Sequence, residues 1–203
     1  MDRVALDLGF IQIYWYSIMI ALGLLVGVSV ILLEARRQKI SDDFLVNMIF
    51  WGTLVAILGA RVYYVVFNWS YYSKHFIEAF EIWNGGLAIH GGIIFGFIAL
   101  VLFCLYKKIN ILKACDLAAP SLIIAQAIGR WGNFFNSEAH GPLTTLAVLQ
   151  EQYIPQFVID GMYINGHYYL PTFFYESLWC IAGFIILMII RYVTKKHNIG
   201  LLT

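Results

Sequence analysis

Charge is what this chain has least of. Asp, Glu, Lys and Arg make up 12% of its 203 residues, about half the roughly 25% of a soluble globular domain. With 61% hydrophobic residues beside it, that deficit excludes an ordinary soluble domain and marks an integral membrane protein. A formal net charge of +1 gives no electrostatic footing for nucleic acid or an acidic partner, so the information lies in where the charges sit. Cysteine is scarce too. Cys104, Cys115 and Cys180 lie in or beside hydrophobic stretches without paired spacing, and they read as reduced core residues rather than a disulfide or metal framework. No Cys/His or paired-carboxylate ligand set is present, so no catalytic metal is expected. Neither a phosphate-cradling P-loop nor a Gly-x-Ser-x-Gly elbow occurs, and no cofactor is expected. Met1-Asp2-Arg3 lacks a basic n-region and no Ala-x-Ala follows the first apolar run, so no secretory signal peptide is read.

What the chain does have is long apolar runs. A hydrocarbon core about 30 Å thick takes roughly 20 helical residues, and five stretches meet or approach that length: about 14–33, 45–67, 87–106, 114–134 and 172–192. The fourth is the least apolar, holding Asp116, Pro120, Gln126 and Arg130. Basic residues sort by loop. Arg36, Arg37 and Lys39 follow the first run, Lys107, Lys108 and Lys113 the third, and Arg191, Lys195 and Lys196 the fifth. The opposite side has Arg3 and Lys74, and residues 137–171 contain no Lys or Arg. By the positive-inside rule the N-terminus is outside and the C-terminus cytoplasmic. The expected fold is an all-α polytopic membrane protein of about five transmembrane helices. Residues 1–136 hold helices one to four, 137–171 an external cap, and 172–203 the fifth helix and a cytoplasmic tail.

The 137–171 segment is too long for a simple turn. It carries the turn signals Gly141-Pro142, Asp160-Gly161 and Asn165-Gly166, and apolar-aromatic runs at Gln156-Phe157-Val158-Ile159 and Met162-Tyr163-Ile164. Asn165-Gly166 between Tyr163-Ile164 and Tyr168-Tyr169 predicts a hairpin. The aromatics argue against a disordered loop.

The polar residues within the runs share one depth. Tyr16, Arg61, His90, Arg130 and Asn133 all fall toward the outer ends of their spans, and ionisable groups at membrane depth are costly enough to face a cavity, a partner or a substrate. The densest block is Gly129-Arg130-Trp131-Gly132-Asn133-Phe134-Phe135-Asn136-Ser137-Glu138. Arg130 and Asn133, one turn apart, share a helix face, with Gly129, Gly132 and Asn136 forming an adjacent strip of mostly small residues. Other readings stand beside these. Arg61 near its helix end suits snorkelling to headgroups or helix packing, and His90 suits a satisfied core histidine. Gly91 and Gly92 after His90 nevertheless indicate a close approach, since each costs a helix about 1 kcal/mol relative to alanine. Gly23-x-x-x-Gly27 and Gly92-x-x-x-Gly96 point to intramolecular helix packing. A buried set of two arginines, a histidine, amides and a tyrosine suits an anionic lipid headgroup, because guanidinium grips phosphate through two directed hydrogen bonds.

The block from Gly129 through Glu138 to Ala139-His140-Gly141 resembles the signature of the bacterial phosphatidylglycerol–prolipoprotein diacylglyceryl transferase family. Trp15-Tyr16, Gly59-Ala60-Arg61, Ile89-His90-Gly91-Gly92 and Pro171-Thr172-Phe173-Phe174-Tyr175-Glu176 resemble further stretches of that family, in order. The resemblance runs essentially the whole length. It implies transfer of the diacylglyceryl group of phosphatidylglycerol to the lipobox cysteine of prolipoproteins, giving a thioether and glycerol phosphate at the outer leaflet of the bacterial cytoplasmic membrane. The implied catalytic residues are His90, Arg130 and Glu138, and the implied substrate-binding residues Tyr16, Arg61, Arg130, Asn133, Asn136 and Gly141. The implied partners are phosphatidylglycerol, the prolipoprotein signal peptide and the bilayer. Two departures stand out. Leu170 precedes Pro171 where the family often has histidine, and the family commonly continues for two further spans with another arginine, whereas this sequence stops at Thr203. A lipid-binding but inactive family member is therefore a second expectation. A transporter is a third, disfavoured because the inner halves of the runs are nearly featureless apart from Asp116 and Gln126.

Overall fold

The computed structural model describes residues 3–9, 12–38, 40–82 and 85–196, without the side chains of Asp42 and residues 194–196. Met1, Asp2, Lys39 and Thr203, and the side chains of Lys195 and Lys196, all used above, lie outside the described residues.

Among the described residues, five helices are long and apolar enough to cross a membrane. They are α1 (Trp15–Arg37), α2 (Asp42–Phe67), α4 (Ile89–Lys107), α5 (Ile111–Asn136) and α8 (Thr172–Lys196). Several extend a turn past the apolar runs because polar groups complete their ends. Arg36 and Arg37 fill the last turn of α1, where cations meet the negative end of the helix dipole. Ser41 caps α2 by accepting from the Phe44 amide at 3.4 Å. The Asn110 carboxamide oxygen accepts from the Leu112 amide at 2.8 Å at the start of α5.

Shorter elements fill the connections. Strand β1 (Val4–Asp7) pairs antiparallel with β2 (Gln12–Tyr14), Leu6 opposite Ile13. The Gly9 amide and the Gln12 carboxamide donate to Asp7 and hold its carboxyl below the usual carboxylate range. Between α2 and α4 run α3 (Trp69–Tyr72) and a 3₁₀ turn, Phe76–Phe80. The segment between α5 and α8 is folded: β3 (Leu143–Thr144), α6 (Leu146–Glu151), α7 (Gln156–Gly161), β4 (Tyr163–Ile164) and β5 (His167–Tyr169). The strands form an antiparallel sheet in the order β3-β5-β4. The predicted hairpin is present, with Asn165 and Gly166 at φ 50° and 84°, the left-handed pair that a two-residue turn between twisted strands demands. Gln156-Phe157-Val158-Ile159 and Asp160-Gly161, expected as an apolar run and a turn, instead form one short helix. Its apolar side lies on a core of Leu149, Ile154, Val158, Ile159, Met162, Phe134 and Phe173.

The chain forms two compact units. One combines the chain up to Ile31 with the chain from Ala118 onward, and the other spans Leu32–Leu117. In the first unit α1 packs on α5 through small residues. A methyl at Gly23 would stand 2.8 Å from the Ala125 carbonyl oxygen, and one at Gly27 would stand 3.0 Å from that of Ser121. In the second unit α2 packs along α4, where Gly91 rests on the Gly59 carbonyl and Tyr63, and Gly96 on Ala56.

Candidate functional site

Helix α5 sorts its residues by face, at about 100° per residue. The face carrying Ala125, Gly129 and Gly132 meets α1: Gly129 faces Ile20, and a methyl at Gly132 would stand 2.8 Å from Tyr16 Cδ2. The face carrying Ala127, Trp131 and Phe134 meets α8. There Trp131 Nε1 donates to Ser177 Oγ at 3.1 Å, and that hydroxyl donates to the Ala127 carbonyl at 3.0 Å. Trp131 and Phe134 also pack on Phe173 with ring centroids 5.3 and 4.9 Å apart. Arg130 and Asn133 project from the strip between these faces.

Arg130 is paired. Its Nη2 lies 2.5 Å from Glu176 Oε2, with side chains 31% and 44% exposed, so the pair opens to its surroundings. Glu138, expected among the catalytic residues, lies beyond the helix end. It is exposed, between Ser137 and Ala139 at φ 54° and 50°, and its amide donates to the Asn133 carbonyl at 3.0 Å. Glu176, not singled out from the sequence, is the carboxylate that meets the guanidinium. A signal was available: a lone carboxylate one turn inside an apolar helix is costly and usually has a partner or a function.

Several polar groups near the C-terminal end of α5 are uncommitted. Among the described residues, the carboxamides of Asn133 and Asn136, the Tyr16 hydroxyl and the Glu138 carboxylate make no hydrogen bond to another protein group. The loop beyond Glu138 is held to the start of α8. Thr172 Oγ1 donates to the Ala139 carbonyl at 2.7 Å, and the Gly141 amide to that of Leu170 at 2.8 Å. A methyl at Gly141 would meet Leu170 Cβ and Thr172 Cγ2, both at 2.9 Å, so glycine there permits a close chain crossing. The His140 ring packs on Tyr169 with centroids 4.0 Å apart. Tyr16, Arg130, Asn133, Asn136, Glu138 and Gly141 thus all belong to the first unit.

Arg61 and His90 belong to the second unit. Arg61 is 6% exposed and is turned on the chain itself. Its Nε donates to the Ala79 carbonyl at 2.9 Å, Nη1 to those of Gly85 and Gly86 at 2.7 and 3.0 Å, and Nη2 to that of Glu78 at 2.5 Å. Tyr72 and Tyr64 flank the guanidinium with ring centroids 5.3 and 6.0 Å away. Gly85 and Gly86 sit at φ 81° and 68°, a conformation open to glycine at little cost, and their carbonyls both reach the same nitrogen. Arg61 is therefore the clamp of the segment leading into α4. His90, in the first turn of α4, is exposed and stacks on Tyr63 with centroids 6.3 Å apart. Among the described residues, neither of its ring nitrogens has a hydrogen-bond partner.

Among the described residues, no cluster of three His, Cys, Asp or Glu could hold a metal ion.

Residues 3–203 match the family model described as prolipoprotein diacylglyceryl transferase. Three proteins named phosphatidylglycerol–prolipoprotein diacylglyceryl transferase are similar over most of this chain. The one from Ligilactobacillus salivarius is 50% identical over 98% of this chain and 74% of its own length. That from Listeria innocua is 47% identical over 94% and 69%, and that from Staphylococcus aureus 49% identical over 94% and 68%.

Proposed function

Because the chain belongs to the prolipoprotein diacylglyceryl transferase family, we propose that it transfers the diacylglyceryl group of phosphatidylglycerol to the lipobox cysteine thiol of a prolipoprotein in the cell membrane. The observation that carries this reading is Arg130: a half-buried guanidinium near the cap end of α5, one turn from the uncommitted carboxamide of Asn133. The loop charges put that end at the outer leaflet.

The reaction forms a sulfur–carbon bond and breaks the bond between the lipid's glyceryl carbon and its phosphate oxygen. The bonding pair leaves with that oxygen, and glycerol phosphate departs. The thiol proton has to be removed first, since a free cysteine with pKa near 8.5 is mostly unreactive thiol at neutral pH. His90, the histidine nearest the outer end of its helix, takes that proton. Arg130 binds the phosphate and offsets the charge that develops on its oxygen as the bond breaks. Asn133 and Asn136 orient the phosphate, Tyr16 donates to it, and Glu138 accepts from the glycerol hydroxyls. Gly141 serves the site by letting the loop past Glu138 lie close against the start of α8. Arg61 serves indirectly, by holding the segment that leads to His90. The cap seats the signal peptide, a hydrophobic helix in its own right.

Purified chain mixed with phosphatidylglycerol and a lipobox peptide should yield glycerol phosphate and lipidated peptide. Arg130→Ala should abolish both products, and substantial residual turnover would remove Arg130 from the phosphate. His90→Gln should lose the neutral-pH rate, whereas an unaltered rate and pH profile would exclude proton transfer there. Deleting part of 144–165 should weaken peptide binding while sparing lipid binding.

A further inference from the structure

We infer that Glu176 is a positioning residue that competes with the lipid phosphate for Arg130, holding the guanidinium in the empty site and helping to expel the glycerol phosphate product. The inference rests on the phosphate role of Arg130 proposed above.

The geometry is that of a set partner. Glu176 is adjacent to Ser177, whose hydroxyl joins Trp131 and Ala127 of α5. It also lies one turn from Phe173, which is 1% exposed in the cap core. The backbone of α8 is thereby locked against α5 at the level of Arg130, and the carboxylate meets Nη2 at 2.5 Å. It engages one nitrogen of the guanidinium. The remaining edge, with its other N–H donors, is left for a second anion. With both side chains partly exposed, an incoming phosphate can reach that edge without unpacking the helices.

The charges then change during the reaction. Phosphatidylglycerol brings a phosphodiester with one negative charge. Glycerol phosphate leaves as a monoester whose second ionisation falls near pH 6, so it carries a charge approaching −2 at neutral pH. A bare arginine would hold that product more strongly than the substrate and retain it. A carboxylate fixed on the same guanidinium repels the dianion more than the monoanion, and it re-forms its own pair as the product leaves. Repulsion between like charges at contact in a partly desolvated site is large enough to matter at this level.

Glu176→Gln keeps the shape and removes the charge. With purified full chain, we expect inhibition by added glycerol phosphate to tighten about tenfold, the size of effect typical for a charge-assisted contact. The KM for phosphatidylglycerol should fall, and kcat should fall as product release slows. Glu176→Ala should tighten the inhibition as well, and Glu176→Asp, which keeps a shorter carboxylate, should fall between; any one of the three that retains the wild-type melting temperature suffices. A merely structural Glu176 would show the opposite split, with higher KM, lower melting temperature and no tighter inhibition, and that result overturns the inference. Arg130→Ala separates this from the wider reading. If it binds glycerol phosphate as tightly as the wild type in direct titration, Arg130 is not the phosphate ligand. If binding is lost there but inhibition is unchanged in all folded Glu176 variants, the competition alone is wrong.

Discussion

Arg61 offers the sharpest contrast between two roles that the sequence left side by side. As a phosphate ligand, it would lose two-point phosphate binding in Arg61→Lys yet leave the local fold intact. As a clamp, it would not leave that fold intact: four carbonyls, those of Glu78, Ala79, Gly85 and Gly86, converge on three nitrogens of one planar fork, and a single ammonium cannot span them. Hydrogen bonds to a charged donor contribute about 1.5–3 kcal/mol each. They are not additive, and the released carbonyls of exposed Gly85 and half-buried Glu78, Ala79 and Gly86 regain water in part. A local loss of about 3 kcal/mol is therefore a fair expectation for Arg61→Lys, near the low end for breaking a buried charge network. Amide hydrogen exchange in detergent reads it directly. The Ala88 amide, which donates to the Ala60 carbonyl at 3.0 Å, and the Glu81 amide, which donates to that of Glu78 at 3.1 Å, should exchange about a hundredfold faster, since 1.4 kcal/mol is a factor of ten. Inhibition by glycerol phosphate should be unaffected. Unchanged exchange at Ala88 and Glu81, with phosphate binding weakened instead, would return Arg61 to the lipid and refute the clamp.

Other substitutions test the packing that frames the site. Gly23→Ile drives a branched side chain into the Ala125 carbonyl, and the forced separation of α1 from α5 should cost about 1–3 kcal/mol, read as a fall in melting temperature. Ser177→Ala strands the Trp131 indole N–H and should cost about 1–3 kcal/mol; a stability change under half that would mean the indole finds another acceptor. Asn165→Val places a branched residue at φ 50°, where strain of about 1–3 kcal/mol is expected, and proteolysis between Tyr163 and Tyr169 should accelerate.

The spans were legible because a membrane helix advertises itself by length and apolarity, with no partner needed to recognise it. The Asn165-Gly166 turn was legible because its backbone demand is local. Helix α7 was not: six residues are too few to display a helical period, and α7 takes its form from the core it covers, where Val158 and Ile159 meet Phe134 and Phe173. The β1–β2 hairpin escaped for a like reason, being three to four residues a strand. Arg61 was recognised as costly, but its partners are main-chain carbonyls 17 to 25 residues downstream, and every residue has a carbonyl, so composition cannot point to them.

The same distinction separates Glu138 from Glu176. Nearness in sequence favoured Glu138, eight positions from Arg130 in the same block, yet the chain leaves the helix at Asn136 and turns through two left-handed residues before and after Glu138. Glu176 lies 46 positions away and is brought back by the cap, whose apolar core joins the ends of α5 and α8 into one packed body. The contact that sets Arg130 therefore depends on folding of the intervening 35 residues, 137–171. Weakening the cap core should loosen the arginine. Val158→Ala, at a position with no exposed surface, is the substitution to make. It should cost about 1–3 kcal/mol and tighten inhibition by glycerol phosphate, in the direction of Glu176→Gln. A destabilised cap with wild-type inhibition would show instead that the Trp131–Ser177–Ala127 bridge is enough to hold the pair by itself.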